Sequence, residues 1–226
     1  MTIEIKINTD PNILRIFIIR HGQTEHNVQK ILQGHLDIDM NKTGHNQSQL
    51  VGEALKDMQF DGFSTSDLIR CQNTSKEILE HHQNIEVRYT QNLREREMGA
   101  VQGMYLKDAL AKYGENFRNM GESKEDFLVR VDSEWDRIVK LSETKKYSNY
   151  GICTHGGVIT AFINYLYDIK KYNLSSSLKP EDLKVPFNTS VSVIDINKQD
   201  GRGIIQIFGN TDHLGAQLEV KEQLLR

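Results

Sequence analysis

The chain has 226 residues, 38% hydrophobic and 26% charged, the composition of a soluble globular protein with length for one well-filled core. Its net charge of −3, without a basic run or a basic-aromatic patch, gives no reason to expect nucleic acid, and no apolar stretch is long enough to span a bilayer. Two cysteines, Cys71 and Cys153, make no disulfide framework, and MTIEIKINTDPN lacks a basic-then-apolar leader, so the expected setting is reducing, cytoplasmic or nuclear.

Residues 1–12 read as a short extension ahead of one domain that takes up the rest of the 226 residues. Leu14 to Ile19 is apolar and β-branched, which predicts a strand buried on both faces. It ends abruptly in Arg20-His21-Gly22, with Gln23, Thr24 and Asn27 just behind. Leu50, Val51, Ala54, Leu55 and Met58 fall at helical spacing, with Thr43 as the expected N-cap. Phe60 to Ser64 is a short strand, Leu68, Ile69, Ile78 and Leu79 mark a second helix, and Ile85 to Tyr89 is a strand. Ser123-Lys-Glu-Asp126 resembles a capping box, followed by an amphipathic stripe from Phe127 to Val139. Tyr150 to Thr154 is another buried strand, which runs through His155-Gly156-Gly157 into a helix carrying Val158, Ile159, Phe162, Ile163 and Leu166. Residues 170–188, with Pro180 and Pro186, read as a long loop. Val191 to Ile196 and Gly203 to Phe208 close the chain as strands.

Strands alternating with helices predict a mostly parallel sheet with helices on both faces, in which ligands collect at the carboxyl ends of the strands. Arg20-His21 and His155 both occupy such ends, so they are expected in one crevice. A phosphate monoester carries about −1.5 to −2 charge near neutral pH and offers several oxygens to donors. Arginine binds it bidentately and stays charged, and a neutral imidazole with one nitrogen fixed can attack phosphorus. Little more is needed than an acid for the leaving oxygen. His21 is the candidate nucleophile and Arg20 the adjacent clamp, while Gly22 would let the backbone turn tightly. Arg70 opens a helix after a short strand and can reach the same crevice. Gly156 stands where the amides of a helix N-terminus favour an anion. The acid would come from LREREMGAVQG, where Glu95 and Glu97 compete.

RHGQTEHN, Gln33-Gly34, TGHNQSQLVGEAL, SDLIRCQNT, LREREMGAVQG, CTHGGVI and FNTSVSVI together resemble, in order, the motifs of the histidine phosphatase superfamily, the phosphoglycerate-mutase-like proteins. The resemblance covers nearly the whole chain. It implies a three-layer α/β/α fold whose mixed, mostly parallel sheet has one antiparallel strand, and a reaction that needs no metal or cofactor. By the same resemblance His21 is transiently phosphorylated, and Arg20, Arg70 and His155 complete the phosphate pocket. Thr24 and Asn27 belong to the phosphate-binding signature, and Gln33 and Gly34 lie on a substrate loop. Two positions after a Leu in an L-x-E-x-x-x-G pattern, Glu95 is selected over Glu97.

Other chemistries fail on spacing. A cysteine phosphatase needs Arg six positions after its Cys, and Glu77 and Ile159 stand there instead. Asp37-Ile-Asp39-Met-Asn41 follows no apolar strand, as an aspartyl-phosphate motif would. The five histidines 26, 35, 45, 81 and 82 fit no zinc spacing, and His213 reads as a solvated loop residue, with a neighbour standing behind the site as the alternative. The expected function is hydrolysis of phosphate monoesters of small metabolites. Phosphoglycerate mutase chemistry is the first alternative, but mutases carry a longer insert with paired arginines, and residues 104–150 hold no adjacent pair. A non-enzymatic binder of a phosphorylated ligand is the second. Residues 104–123 are expected at the mouth of the pocket.

Overall fold

The structure, a computed structural model, describes residues 5–217; the first four residues of the expected extension lie outside them. The first four strands in chain order form one half of the sheet. These are β1 (Ile13–Arg20), β2 (Gly62–Ser66), β3 (Val87–Thr90) and β4 (Asn149–Thr154). They are followed by β5 (Asn173–Leu174), β6 (Val191–Asn197) and β7 (Gly203–Asn210). The sheet runs β3-β2-β4-β1-β6-β7-β5. β1, β2, β3 and β4 are mutually parallel, β6 opposes both of its neighbours β1 and β7, and β5 is parallel to β7. Among the described strands β6 alone therefore runs against the rest.

Among the described residues six α-helices accompany the strands: α1 (Glu25–Gln29), α2 (Lys42–Leu55), α3 (Ile69–Leu79), α4 (Leu106–Tyr113), α5 (Lys124–Lys145) and α6 (Gly156–Asp168). The two-residue period of β1 divides the core between them. Leu14, Ile16 and Ile18 point to one face and pack with Trp135 and Ile138 of α5 and Phe162 and Ile163 of α6. Phe17 and Ile19 point to the other and pack with Val51 and Leu55 of α2 and Ile78 of α3. That is the expected three-layer arrangement. Trp135 and Phe162 meet edge to face with centroids 5.3 Å apart, a pairing worth about 0.5–1.5 kcal/mol beyond the area it buries. A small third cluster, Leu32, Val101, Ala109 and Phe117, stands apart from both.

Several boundaries differ from the sequence reading. α2 starts one residue ahead of Thr43, because Asn41, in extended backbone, caps it by accepting the Gly44 N–H at 2.9 Å; Asn is among the strongest N-caps. Ser123 caps α5 as expected, its hydroxyl accepting the Asp126 N–H. α1 and α4 are short, each with a single buried residue, and left no periodic signal to read. The long loop over residues 170–188 contains the two-residue strand β5 and a 3-10 turn, Pro180–Asp182.

Candidate active site

The parallel register of β1 and β4 pairs Arg20 with Thr154, so the residues that follow each strand emerge side by side. The His21 N–H donates to the Thr154 carbonyl at 2.9 Å, and the rings of His21 and His155 lie 5.2 Å apart between centroids. The loop after β1 is held from its other side by Asn188, whose Nδ2 donates to the His21 carbonyl at 2.9 Å. A cavity of about 660 Å³ opens here, lined by Arg20, His21, Asn27, Gln33, Gly34, Arg70, Glu95, His155 and Gly156 among others. Nine of the ten expected site residues thus share one cavity.

The tenth, Thr24, corrects the expectation. It is fully buried as the N-cap of α1: its hydroxyl accepts the Asn27 N–H at 3.1 Å and donates to Asn27 Oδ1 at 3.1 Å. Thr24 therefore sets the Asn27 side chain instead of meeting a ligand. Asn27 Oδ1 also accepts the Thr24 N–H and Asn188 Nδ2. With its oxygen occupied, Asn27 is left to present its amide N–H groups to the cavity.

His21 Nδ1 is 2.7 Å from the Gly22 carbonyl oxygen. A carbonyl only accepts, so Nδ1 carries the ring proton and Nε2 keeps the lone pair. Burial, then the nearby charges of Arg70 and Arg20, push the His21 pKa well below its ordinary value and keep the ring neutral. His155 is likewise pushed down, by burial first and Arg70 next. Its Nδ1 accepts from Arg70 Nε at 3.2 Å, and its Nε2 donates to Ser66 Oγ at 2.9 Å. Both of its nitrogens are committed to protein, so His155 orients Arg70. Cys71 packs its sulfur 3.4 Å from His155 Nε2, and burial raises the thiol pKa, which leaves it unreactive.

The two guanidiniums are almost wholly buried, Arg20 at 3% and Arg70 at 1% exposure. Such cations survive out of water only if acceptors surround them. Arg70 donates to the Leu36 and Gly34 carbonyls at 2.7 and 3.0 Å. Arg20 donates to the Pro186 carbonyl at 2.6 Å, and its Nε is buried with no partner. Desolvation pulls the Arg20 pKa down to about 10, with Glu95 opposing. Gln33 Oε1 is also buried and unpartnered beside the same cavity. An arrangement with unused donors and concentrated positive charge is ready for a polyoxygenated anion.

Glu95 reaches this anion site from a segment outside the sheet. Its carboxylate accepts the Arg96 N–H through Oε1 and the Gly157 N–H through Oε2, both at 2.9 Å. Position 157 has to be glycine for that approach, since a Cβ there would sit 2.3 Å from Oε1. Glu97, the competing carboxylate, turns away and accepts the Gly99 N–H at 2.7 Å. Sequence reasoning missed several supports: Ser66 behind His155, Asn188 behind His21, and Arg96 and Lys124 around the mouth, where Arg118, from the segment expected there, also stands. The only hint was the run FNTSVSVI, noted without a role for Asn188. His213, read as a solvated loop residue, lies 3.2 Å by its Nε2 from Thr189 Oγ1, beside the loop after β1. Among the described residues no three His, Cys, Asp or Glu side chains are grouped to hold a metal ion, and no helix is long and apolar enough to cross a membrane.

The model of the histidine phosphatase superfamily (branch 1) matches residues 16–206 of the chain. The chain is 40% identical to the broad-specificity phosphatase YOR283W of Saccharomyces cerevisiae over 216 residues, which cover 92% of this chain and 90% of that protein. A probable phosphatase of Schizosaccharomyces pombe is 32% identical over 90% of this chain and 97% of its own length. Among solved structures, a phosphoglycerate mutase from Bacillus anthracis superposes with a TM-score of 0.75 at 22% identity, over 90% of this chain and 96% of that one. A mycobacterial glucosyl-3-phosphoglycerate phosphatase gives 0.73 at 22% identity, over 88% and 100%. At such identities the last two show a shared fold.

Proposed function

The chain belongs to the histidine phosphatase superfamily, branch 1, and from that premise we propose that it hydrolyses phosphate monoesters of small metabolites through a phosphohistidine on His21. The observation that carries this reading is the fixed tautomer of His21. With Nδ1–H held by the Gly22 carbonyl, the Nε2 lone pair is the nucleophile, and burial keeps it unprotonated.

The substrate phosphate lies between Arg20 and Arg70, with the Asn27 amide and the N-terminal amides of α6 as further donors. Nε2 of His21 attacks phosphorus in line, and the P–O bond to the leaving group breaks. Glu95, protonated, passes its proton to that oxygen and an alcohol departs. Water then attacks the phosphohistidine while Glu95, now a carboxylate, takes its proton. The P–N bond breaks, orthophosphate leaves, and both side chains return to their starting states. His155 serves by fixing Arg70. The open cavity of about 660 Å³ has a mixed wall, in which Phe117, Met98 and Ala161 stand beside Arg96, Arg118 and Lys124. Such a wall suits many small phosphorylated metabolites, in keeping with the name of the yeast relative.

The test is a rapid-quench experiment with an aryl phosphate. The wild-type protein should yield an acid-labile phosphoprotein and a burst of phenol, and His21→Ala neither, with turnover reduced by about 10³-fold or more. Full activity in His21→Ala would sink the assignment. Rapid interconversion of phosphoglycerates with bisphosphoglycerate present would show transfer to a second hydroxyl in place of water.

A further inference from the structure

Glu95 stands on neither a strand nor an α-helix. It lies between two 3-10 turns, Gln91–Leu93 and Gly99–Val101, so the ladder of the sheet does not hold it. The carbonyls of this irregular segment still require donors. One side chain supplies most of them. Arg130, on α5, donates through Nη1 to the carbonyls of Gln91, Asn92 and Arg94 at 3.3, 2.9 and 2.8 Å, and through Nη2 to that of Glu95 at 2.9 Å. Its Nε and Nη2 grip the two oxygens of Glu122 at 2.6 and 2.9 Å. Its guanidinium also lies 4.9 Å over the Phe127 ring.

These contacts use every N–H of the guanidinium. They also join the acid segment to the cavity mouth, because Arg96 donates to the Met120 and Glu122 carbonyls. The Glu95 carbonyl has a second neighbour in His35 Nε2 at 2.8 Å. The carboxylate of Glu95 can point reproducibly at a leaving oxygen only if this backbone stands still.

We propose that Arg130, anchored by Glu122, is a positioning residue for the general acid: by holding four backbone acceptors between Gln91 and Glu95 it fixes where the Glu95 carboxyl meets the leaving group. The inference rests on Glu95 being that acid. Gluing α5 to a loop would be the purely structural alternative, and leaving-group chemistry separates the two. An alkoxide is strongly basic and needs the proton as it departs; a nitrophenolate does not. kcat/KM reports the steps up to formation of the phosphoenzyme, so it isolates this effect.

The experiment compares kcat/KM for a series of alkyl and aryl phosphates in the wild-type, Glu95→Gln, Arg130→Met and Arg130→Lys proteins, with thermal unfolding of each. Displacing a catalytic group by about 1 Å costs about 10²-fold. The expected result is therefore an alkyl phosphate loss of about 10²-fold in Arg130→Met, against about threefold or less for p-nitrophenyl phosphate. Arg130→Lys keeps the charge but cannot span the same carbonyls, and should fall with it. An equal loss across all leaving groups, or no loss, overturns the proposal while Glu95→Gln still steepens the dependence. If Glu95→Gln leaves the dependence unchanged, the acid assignment itself has failed. Should Arg130→Met not fold, Glu122→Gln is read in the same assay: a smaller steepening supports the proposal and an unchanged slope overturns it.

Discussion

Three histidines have different tasks although loss of water moves their pKa values the same way. In the proposed reaction the neutral His21 attacks, whereas His155 accepts from Arg70 and the half-buried His213 packs against Thr189. His213, pushed down to about 4 by burial against the opposing charge of Asp212, gives a measurable consequence. In the unfolded chain it titrates near the ordinary value of about 6.5. Below that pH the unfolded chain binds a proton that the folded site refuses, so stability is lost as pH falls from about 6.5 toward 4. His213→Asn should remove on the order of 1–3 kcal/mol of that loss. Its Tm would then fall less steeply than the wild type's between pH 7 and 4, and parallel curves would refute this. At this scale the sequence was only partly legible. Two carboxylates in LRERE look alike on paper, and only the family pattern chose Glu95; in the fold, Gly157 and Arg96 hold its carboxylate at the cavity. Thr24 went the other way, since its position in the motif concealed that its hydroxyl is spent on Asn27.

Elements meet the catalytic loop at one point of unusually close approach. A Cβ on Gly22 would meet the Gly44 carbonyl at 2.5 Å, and one on Gly44 would meet the Gln23 carbonyl oxygen at 2.1 Å. Gly22 is thus explained by the passage of α2 over the loop more than by a turn. Gly44→Ala has to push that loop away, at about 1–3 kcal/mol for overpacking. A differential scan should show Tm lowered by several degrees, and kcat/KM for an aryl phosphate should fall because the loop carries His21. Unchanged Tm and turnover would show that the helix simply slides. The long strands and helices were legible because their apolar periods are strong. α1 and α4 were not, since each buries a single residue and is placed by tertiary contacts.

Across the whole molecule, charge and shape are distributed unevenly. The chain carries a net −3, yet the cavity gathers five cationic side chains against Glu95, Glu122 and Glu125. A local field of that sign draws in dianions and is screened over about 10 Å at 0.1 M salt. kcat/KM for an aryl phosphate dianion should accordingly fall about 3- to 10-fold between ~0.02 and ~0.3 M KCl. A flat salt profile would remove steering from the account. The three-layer plan could be read from alternating strands and helices, whereas the lone reversed strand β6 came from the family resemblance, since residue patterns do not encode strand direction. The small cluster of Leu32, Val101, Ala109 and Phe117 sits beside this plan and belongs to neither main core. Residues 104–123, which contribute Ala109 and Phe117 to it, shape the mouth but supply none of the reacting groups. Descendants of this chain can therefore trade that piece for one of another length and acquire a new clientele. The ends of β1 and β4 admit no such trade, because any exchange there forfeits the reaction along with the old customer.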